Sequence, residues 1–353
     1  MKIVILGDAS SVHTYNWCRL SSRIAEIHLV SLELPNPKIL KYVRFHKINI
    51  SKPFGYVLGF SQVRRIINEV QPDIMHAHYA TGYGFLGATQ SSPTKYLTVW
   101  GSDIFQFPQK SVLHYLFMKF ILRSYSRIFS TSVAMAVEVE KFNTVKAPDV
   151  IPFGIDTERF APDEENASWR GLEQRIHIGT VKTLEYVYGI DTLIKAFANA
   201  QTRNPDYHLT LSIYGTGSLL NELESLANDL CKPKTVLFHG SIDSNEVPKV
   251  LNRLDIFVAL SREESFGVSM LEAMSVGLPV ITTKTPGPTE YIDNGQNGVL
   301  VDIDSFTEAS DAISTLINNP ILRRSLGLAA RATVVKDYSS TKTLQEIGKI
   351  YSK

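Results

Sequence analysis

The sequence predicts an α/β protein of two doubly wound, Rossmann-like domains. Apolar runs of strand length alternate with stretches of helical periodicity along nearly the whole chain, the signature of βαβ units laid into parallel sheets. At 353 residues the chain has the length for two such domains, each able to bury its own core. Residues 2–6 read as a strand buried in a parallel sheet, and 256–260 form another apolar run of strand length.

Taken in order, the first strand is closed by Gly7. Residues 7–14 lead into a helix expected over 15–24. An open sheet presents this first loop to a ligand, which singles out Gly7, Ser10, Ser11 and His13, although each alone is more often a helix cap or a surface group. A strand is expected over 26–32. Residues 33–56, with Pro35, Pro37 and Pro53, read as irregular, and a helix follows over 61–70. His76 and His78 then form a His-x-His pair on a strand, facing the same way. No Cys or carboxylate neighbour completes a metal-ligand set, so both are given non-metal roles. Tyr96-Leu-Thr-Val reads as strand and Trp100-Gly-Ser-Asp103 as loop. Strands are expected over 128–131, 175–181, 208–214 and 236–240, with helices over 133–141, 190–200 and 219–229. Gly215 and Gly217 begin a dinucleotide fingerprint, but Leu220 fills the third glycine's place and no acidic residue closes a strand about twenty residues on; no NAD site is expected. Asp302 and Asp304 mimic a metal-binding pair and read as a loop and helix cap. Helices close the chain at 306–316, 321–335 and 340–351.

The chemistry concentrates between Asp255 and Thr283. There a strand, a loop over 261–267, a helix and a strand succeed one another. Val268, Leu271, Ala273, Met274 and Val276 recur at helical spacing, and Gly277 and Pro279 supply the stop. Ligands bind at the carboxyl ends of parallel strands, which places Arg262, Glu264, Ser265, Phe266 and Gly267 at a site. Gly267 lets a ligand approach the backbone. The first free amides, near Val268 and Ser269, favour an anion such as phosphate by ~0.3–2 kcal/mol. Glu264 in the loop and Glu272 one turn into the helix can hold hydroxyls on either side of a diphosphate. A glutamate pair at this spacing is by itself usually a solvated helix face. The run as a whole, continued through Thr285-Pro-Gly-Pro-Thr-Glu290, resembles the Glu-x7-Glu donor signature of retaining glycosyltransferases of family 4.

The resemblance covers nearly the full length and implies the GT-B architecture, two Rossmann-like domains facing a cleft. It sets the junction in Val150-Ile-Pro-Phe-Gly-Ile-Asp156, where Gly154 and Asp156 match a Gly-x-Asp core. The implied division is an acceptor-binding domain over 1–150, a nucleotide-sugar-binding domain over 151–337, and a terminal segment, 338–353, packing back on the first; 163–174 reads as an acidic surface linker. Lys182 fits the first of two cations that neutralise the departing diphosphate. Tyr188 stands where the second belongs, and Arg262 on the facing loop is the substitute. Ile242 resembles part of the nucleobase pocket. Similar transferases carry His before Gly-Ser-Asp; here Trp100 takes that place, leaving Asp103 and the indole to shape the pocket, with Gly101 lining it. The implied catalytic set is therefore Glu264, Lys182 and Asp103. The donor set is Glu272, Gly267, Val268, Phe266, Ser265, Arg262, Ile242 and Gly154. Gly7, Ser10, His13, His78, Trp100 and Gly101 face the acceptor.

The activity implied is transfer of a sugar, with retention, from a UDP- or GDP-sugar to an acceptor hydroxyl. The acceptor class is a lipid-linked glycan of bacterial O-antigen, capsule or exopolysaccharide synthesis, and the location is cytoplasmic, on the inner face of the membrane. No metal or cofactor is expected. Nothing supplies the close carboxylate pair of retaining hydrolases, so same-face attack is the expected route. The alternatives are an epimerase of the same fold, a silent nucleotide-sugar-binding subunit, and a membrane-bound assembly factor. Cys18 and Cys231 lie far apart and imply no disulfide framework. The opening residues, interrupted by Asp8, do not read as a signal peptide. No apolar run approaches the ~18 residues of a membrane span.

Residues 1–150 hold 17 Lys/Arg against 9 Asp/Glu, a net of +8, and the remainder holds 19 against 26, a net of −7. The first half is expected to meet something anionic. No basic cluster interleaved with aromatics points to nucleic acid, so a membrane surface or a lipid-phosphate acceptor is preferred. Residues 112–129, from Val112 to Phe129, carry Lys119, Arg123 and Arg127 four apart. That pattern predicts three cations on one helical face, either an interfacial helix on anionic lipid or a core helix with a wet edge. Sugar, nucleobase, linkage and oligomeric state are not encoded in any pattern.

Overall fold

The computed structural model describes residues 1–92, 94–144, 146–163 and 174–352; all but the two ends of the expected linker at 163–174 lie outside them. The chain divides into two compact units, Met1–Gly154 with Ser340–Lys353, and Ile155–Ser339.

Among the described residues the first unit holds a seven-stranded parallel sheet. Its strands are β1 (Lys2–Leu6), β2 (Glu26–Ser31), β3 (Arg44–Lys47), β4 (Ile74–His78), β5 (Lys95–Thr98), β6 (Arg127–Ser130) and β7 (Asp149–Val150), in the order β3-β2-β1-β4-β5-β6-β7. Side chains alternate across a strand, so each face of the sheet builds its own core. Val4 and Leu6 join Met75, Leu97 and Ile121 on one face. Ile3 and Ile5 join Leu29, Phe129, Trp17 and Ile347 on the other. The closing helix Ser340–Tyr351 belongs to this second face. The Trp17 indole N–H donates to the Tyr351 hydroxyl at 3.0 Å. His76 Nδ1 lies 2.7 Å from the same hydroxyl, and its Nε2 lies 2.7 Å from Thr98 Oγ1. His76 is thus a satisfied core histidine, held neutral by burial.

Three expectations are corrected here. Residues 33–56 are not wholly irregular. They contain a 3₁₀ turn, Pro37–Lys41, and the edge strand β3, whose Arg-Phe-His-Lys composition carries no apolar run and which forms by pairing with β2. The first helix is Val12–Ser21, begun three residues early because the Ser11 hydroxyl caps it. Arg127 is not on a helical face with Lys119 and Arg123. The helix ends at Arg123, and Arg127 opens β6, where its guanidinium pairs with Asp149 on β7 at 2.8 Å. Core burial of Ile128 and Phe129 sets that strand register, which charge spacing cannot show.

The second unit holds a six-stranded parallel sheet among the described residues: β8 (Arg175–Val181), β9 (His208–Tyr214), β10 (Val236–Phe238), β11 (Ile256–Ala259), β12 (Val280–Thr283) and β13 (Val299–Val301), in the order β10-β9-β8-β11-β12-β13. β10 stops two residues short of expectation, because Gly240 turns left-handed at φ 69°. In each unit the strand order reverses once, between β1 and β4 and between β8 and β11. Such a switch point opens a crevice at the carboxyl ends of the two strands.

Candidate active site

Lys182 follows β8 and the 261–267 loop follows β11, so the second unit's switch point brings Lys182 and Glu264 together. Lys182 Nζ lies 2.5 Å from Glu264 Oε2, and both side chains are nearly enclosed. Tyr188 brings its ring centroid to 5.0 Å from the same ammonium, an aromatic face in the place where the resemblance implies a second cation. The loop is shaped by packing. The amide of Gly287, in the Thr285-Pro-Gly-Pro run, donates to the Glu264 carbonyl at 2.9 Å, and a Cβ on Gly287 would stand 2.4 Å from the Phe266 nitrogen. The Tyr291 hydroxyl donates to the Phe266 carbonyl at 2.8 Å. Phe266 is buried against Tyr291 and Tyr338, so its ring serves the core and only its backbone borders the loop.

Gly267 takes the left-handed conformation, φ 87°, and a Cβ there would meet Met270 Cε at 2.3 Å and the Tyr291 hydroxyl at 2.6 Å. The helix Val268–Ser275 starts directly after it, and no side chain caps that start. Its amides are open to an anion. Ser265 and Val268 lie half-buried beside it. One turn on, burial raises the Glu272 carboxyl to about 7, while Arg159 and Lys182 act to lower it.

Arg262 does not serve as the substitute cation. Its guanidinium is held by Asp191 through two 3.0 Å hydrogen bonds and by Asp304 at 2.8 Å. It also donates to the Tyr186 carbonyl at 2.5 Å and stacks on the Tyr186 ring at 4.0 Å. Its charge is neutralised, and its work is to clamp the 186–191 turn to the 261–267 loop. Ile242 lies half-buried in the loop after β10. Gly154 ends the first unit, where a Cβ would stand 2.6 Å from the Ser340 Cα, so close helix packing requires that glycine.

In the first unit the carboxyl ends of β1, β4 and β5 gather Gly7, His78 and Trp100. Asp103 is fully buried, and its carboxylate accepts from the amides of Ala80, Trp100 and Gly101 at 2.8–3.1 Å. It therefore shapes the loop and is not presented to a ligand, which corrects its catalytic assignment. Gly101, at φ 133°, makes the turn this clasp needs. His13 stacks on Phe153 with ring centroids 4.3 Å apart and meets Trp100 edge-on; desolvation lowers it to about 4. Ser10 is exposed and donates its hydroxyl to Asp8. His78 is buried, and burial lowers it to about 3. Among the described residues no group of three or more His, Cys, Asp or Glu is placed to hold a metal ion.

A family model for "Glycosyl transferases group 1" matches residues 163–333, and one for "Glycosyl transferase 4-like" matches 2–132. The D-inositol 3-phosphate glycosyltransferase of Corynebacterium jeikeium is 32% identical over 219 residues, which span 59% of this chain and 52% of that one. The N-acetyl-alpha-D-glucosaminyl L-malate synthase of Bacillus anthracis is 24% identical over 98% of this chain and 94% of its own. The crystal structure of Anabaena HepE in complex with UDP superimposes with a TM-score of 0.83 at 19% identity, covering 100% of both chains. The chain belongs to the family 4 glycosyltransferases. Its two parallel-sheet domains are those of the GT-B fold.

In this family 4 transferase, two residues beside Glu272 and Arg262 carry no motif of their own. Arg159 lies close enough to lower the Glu272 carboxyl and donates to the Ser244 carbonyl. Asp191 holds Arg262. The one local signal for either is that Asp191 sits in the first turn of the helix Ile190–Arg203, where an acid is favoured.

Proposed function

We propose that the protein transfers a sugar, with retention of configuration, from a nucleotide-sugar to an acceptor hydroxyl. The observation that carries this reading is the Lys182–Glu264 pair at the β8/β11 switch point, beside the uncapped helix start at Gly267. In this reading the diphosphate meets Lys182 and the amides of Val268 and Ser269, Glu272 receives the ribose hydroxyls, and Glu264 faces the transferred sugar. The acceptor oxygen bonds to the anomeric carbon on the face from which the diphosphate leaves. The carbon–oxygen bond to the diphosphate breaks, and a departing phosphate oxygen takes the acceptor's proton. No carboxylate acts as nucleophile. Catalysis then rests on stabilising the charge that develops on the diphosphate. The UDP complex of HepE supports a uridine nucleotide as the first donor to try.

The first unit is proposed to take the acceptor, a glycan carried on lipid at the inner face of a membrane. Among the described residues no helix is long and apolar enough to cross one. The helix Val112–Arg123 instead turns Leu113, Leu116 and Phe120 outward, 76%, 53% and 51% exposed, beside Lys119 and Arg123. That face supports peripheral docking.

A melting-temperature panel of UDP-, GDP- and ADP-sugars tests the reading, because a ligand bound only by the folded state raises the midpoint. One class is expected to raise it, and Glu272→Ala to abolish the rise. No shift with any nucleotide-sugar would remove the proposal. A shift without transfer to any lipid-linked acceptor would favour the silent binding subunit, which the aromatic Tyr188 beside Lys182 makes the second reading.

A further inference from the structure

A second candidate site lies at the switch point of the first unit. A cavity of about 510 Å³ opens where β1 and β4 end, bordered by Asp8, Tyr56, His78, Tyr79, Tyr83 and Trp100. Both ring nitrogens of His78 and the indole N–H of Trp100 are buried without a hydrogen-bond partner among the described residues. Buried polar groups are almost always paired, so three orphans around one cavity call for an explanation. Neutral His78 offers one donor and one acceptor, and Trp100 a second donor. Sugar hydroxyls, which both donate and accept, complement that set. Phosphate oxygens, which only accept, leave the acceptor nitrogen of His78 unpaired.

Charge points the same way. No lysine or arginine lines the cavity among the described residues, while Asp8 does. The nearby Lys52 ammonium is held by Glu33 at 2.5 Å and lies 3.6 Å from Asp8. The walls are aromatic faces, on which the apolar side of a pyranose packs. The backbone is under tension at the same spot. Tyr79 adopts φ 75°, held there while its hydroxyl meets Ser102 Oγ at 2.8 Å. Strain of this kind collects at binding sites.

We propose that this cavity receives the acceptor as an uncharged sugar ring, with hydroxyls hydrogen-bonded to His78 and Trp100, and that phosphorylated acceptors are excluded. The assignment rests on the transferase reading above and names its acceptor class.

Saturation-transfer NMR on the full chain tests it with methyl glycosides of glucose, galactose, mannose and N-acetylglucosamine, against glucose 6-phosphate and myo-inositol 1-phosphate. At least one methyl glycoside is expected to bind saturably, and His78→Phe to weaken it about tenfold, the loss of one good hydrogen bond. The variant's melting point and its response to nucleotide-sugar report whether it folds. Should it not fold, Trp100→Phe, which keeps a ring and removes the N–H, takes its place. The proposal is overturned if a sugar phosphate binds more tightly than every neutral glycoside, if no glycoside binds, or if neither variant changes affinity. Nucleotide-sugar binding without glycoside binding would remove this inference alone. Glycoside binding without any nucleotide-sugar binding would keep the sugar site and remove the transferase reading.

Discussion

Burial lifts Glu272 from an ordinary 4.5 to about 7. Between those values the folded chain keeps a proton that the unfolded chain has released, so this group's contribution to stability falls as pH rises from about 4.5 to about 7. Glu272→Gln is expected to flatten that part of the melting-temperature profile. Ribose hydroxyls donate best to the ionised carboxylate, so nucleotide affinity is expected to fall below about pH 7, by up to about tenfold per unit. Titration calorimetry across pH checks this, and an identical slope in the Gln variant would dismiss the ribose assignment. Arg262 makes a second residue-scale case. Lysine cannot reproduce its two-pronged grip on Asp191 or its stacking on Tyr186. Arg262→Lys is expected to cost ~1–3 kcal/mol in urea denaturation. An unmoved midpoint would show that the clamp adds nothing to stability.

Among elements, the strand–loop–helix from β11 is the most constrained. A Cβ at position 267 meets both a left-handed backbone and two occupied neighbours. Gly267→Ala should therefore destabilise the chain by ~1–3 kcal/mol and abolish the melting shift with nucleotide-sugar. Wild-type stability and wild-type shift together would contradict this. The helix Val112–Arg123 is the opposite kind of element, apolar where it faces outward. Leu113→Glu with Leu116→Glu is expected to reduce sedimentation with anionic vesicles about tenfold or more. The melting point should hold, because both leucines are already more than half exposed. Undiminished vesicle binding would locate membrane contact elsewhere.

At the scale of the whole molecule, the last helix is held on the first unit by residues far away in sequence. Tyr351 joins Trp17 and His76 through one hydroxyl, and Ile347 and Ile350 fill the same face. Tyr351→Phe leaves two buried polar groups without that partner, at an expected cost of ~1–3 kcal/mol in chemical denaturation. The wild-type midpoint in that variant would mean the hydroxyl adds no stability.

Much of this was readable from the sequence because it is local. Apolar runs of strand length and a period of 3.6 residues mark the strands and helices of both units, and the run from Asp255 to Thr283 announces its helix start through Gly267 and its stop through Gly277 and Pro279. Glu264 and Glu272 lie within that run, whereas Lys182, just after β8, is singled out only by the resemblance to family 4 transferases. Tertiary structure alone decided which charges are already matched. Asp103 faces three amides, Arg262 faces two carboxylates, and Arg127 faces Asp149 across a strand pair. An ion's chemistry depends on what lies within a few ångströms of it, and folding supplies those neighbours from distant parts of the chain.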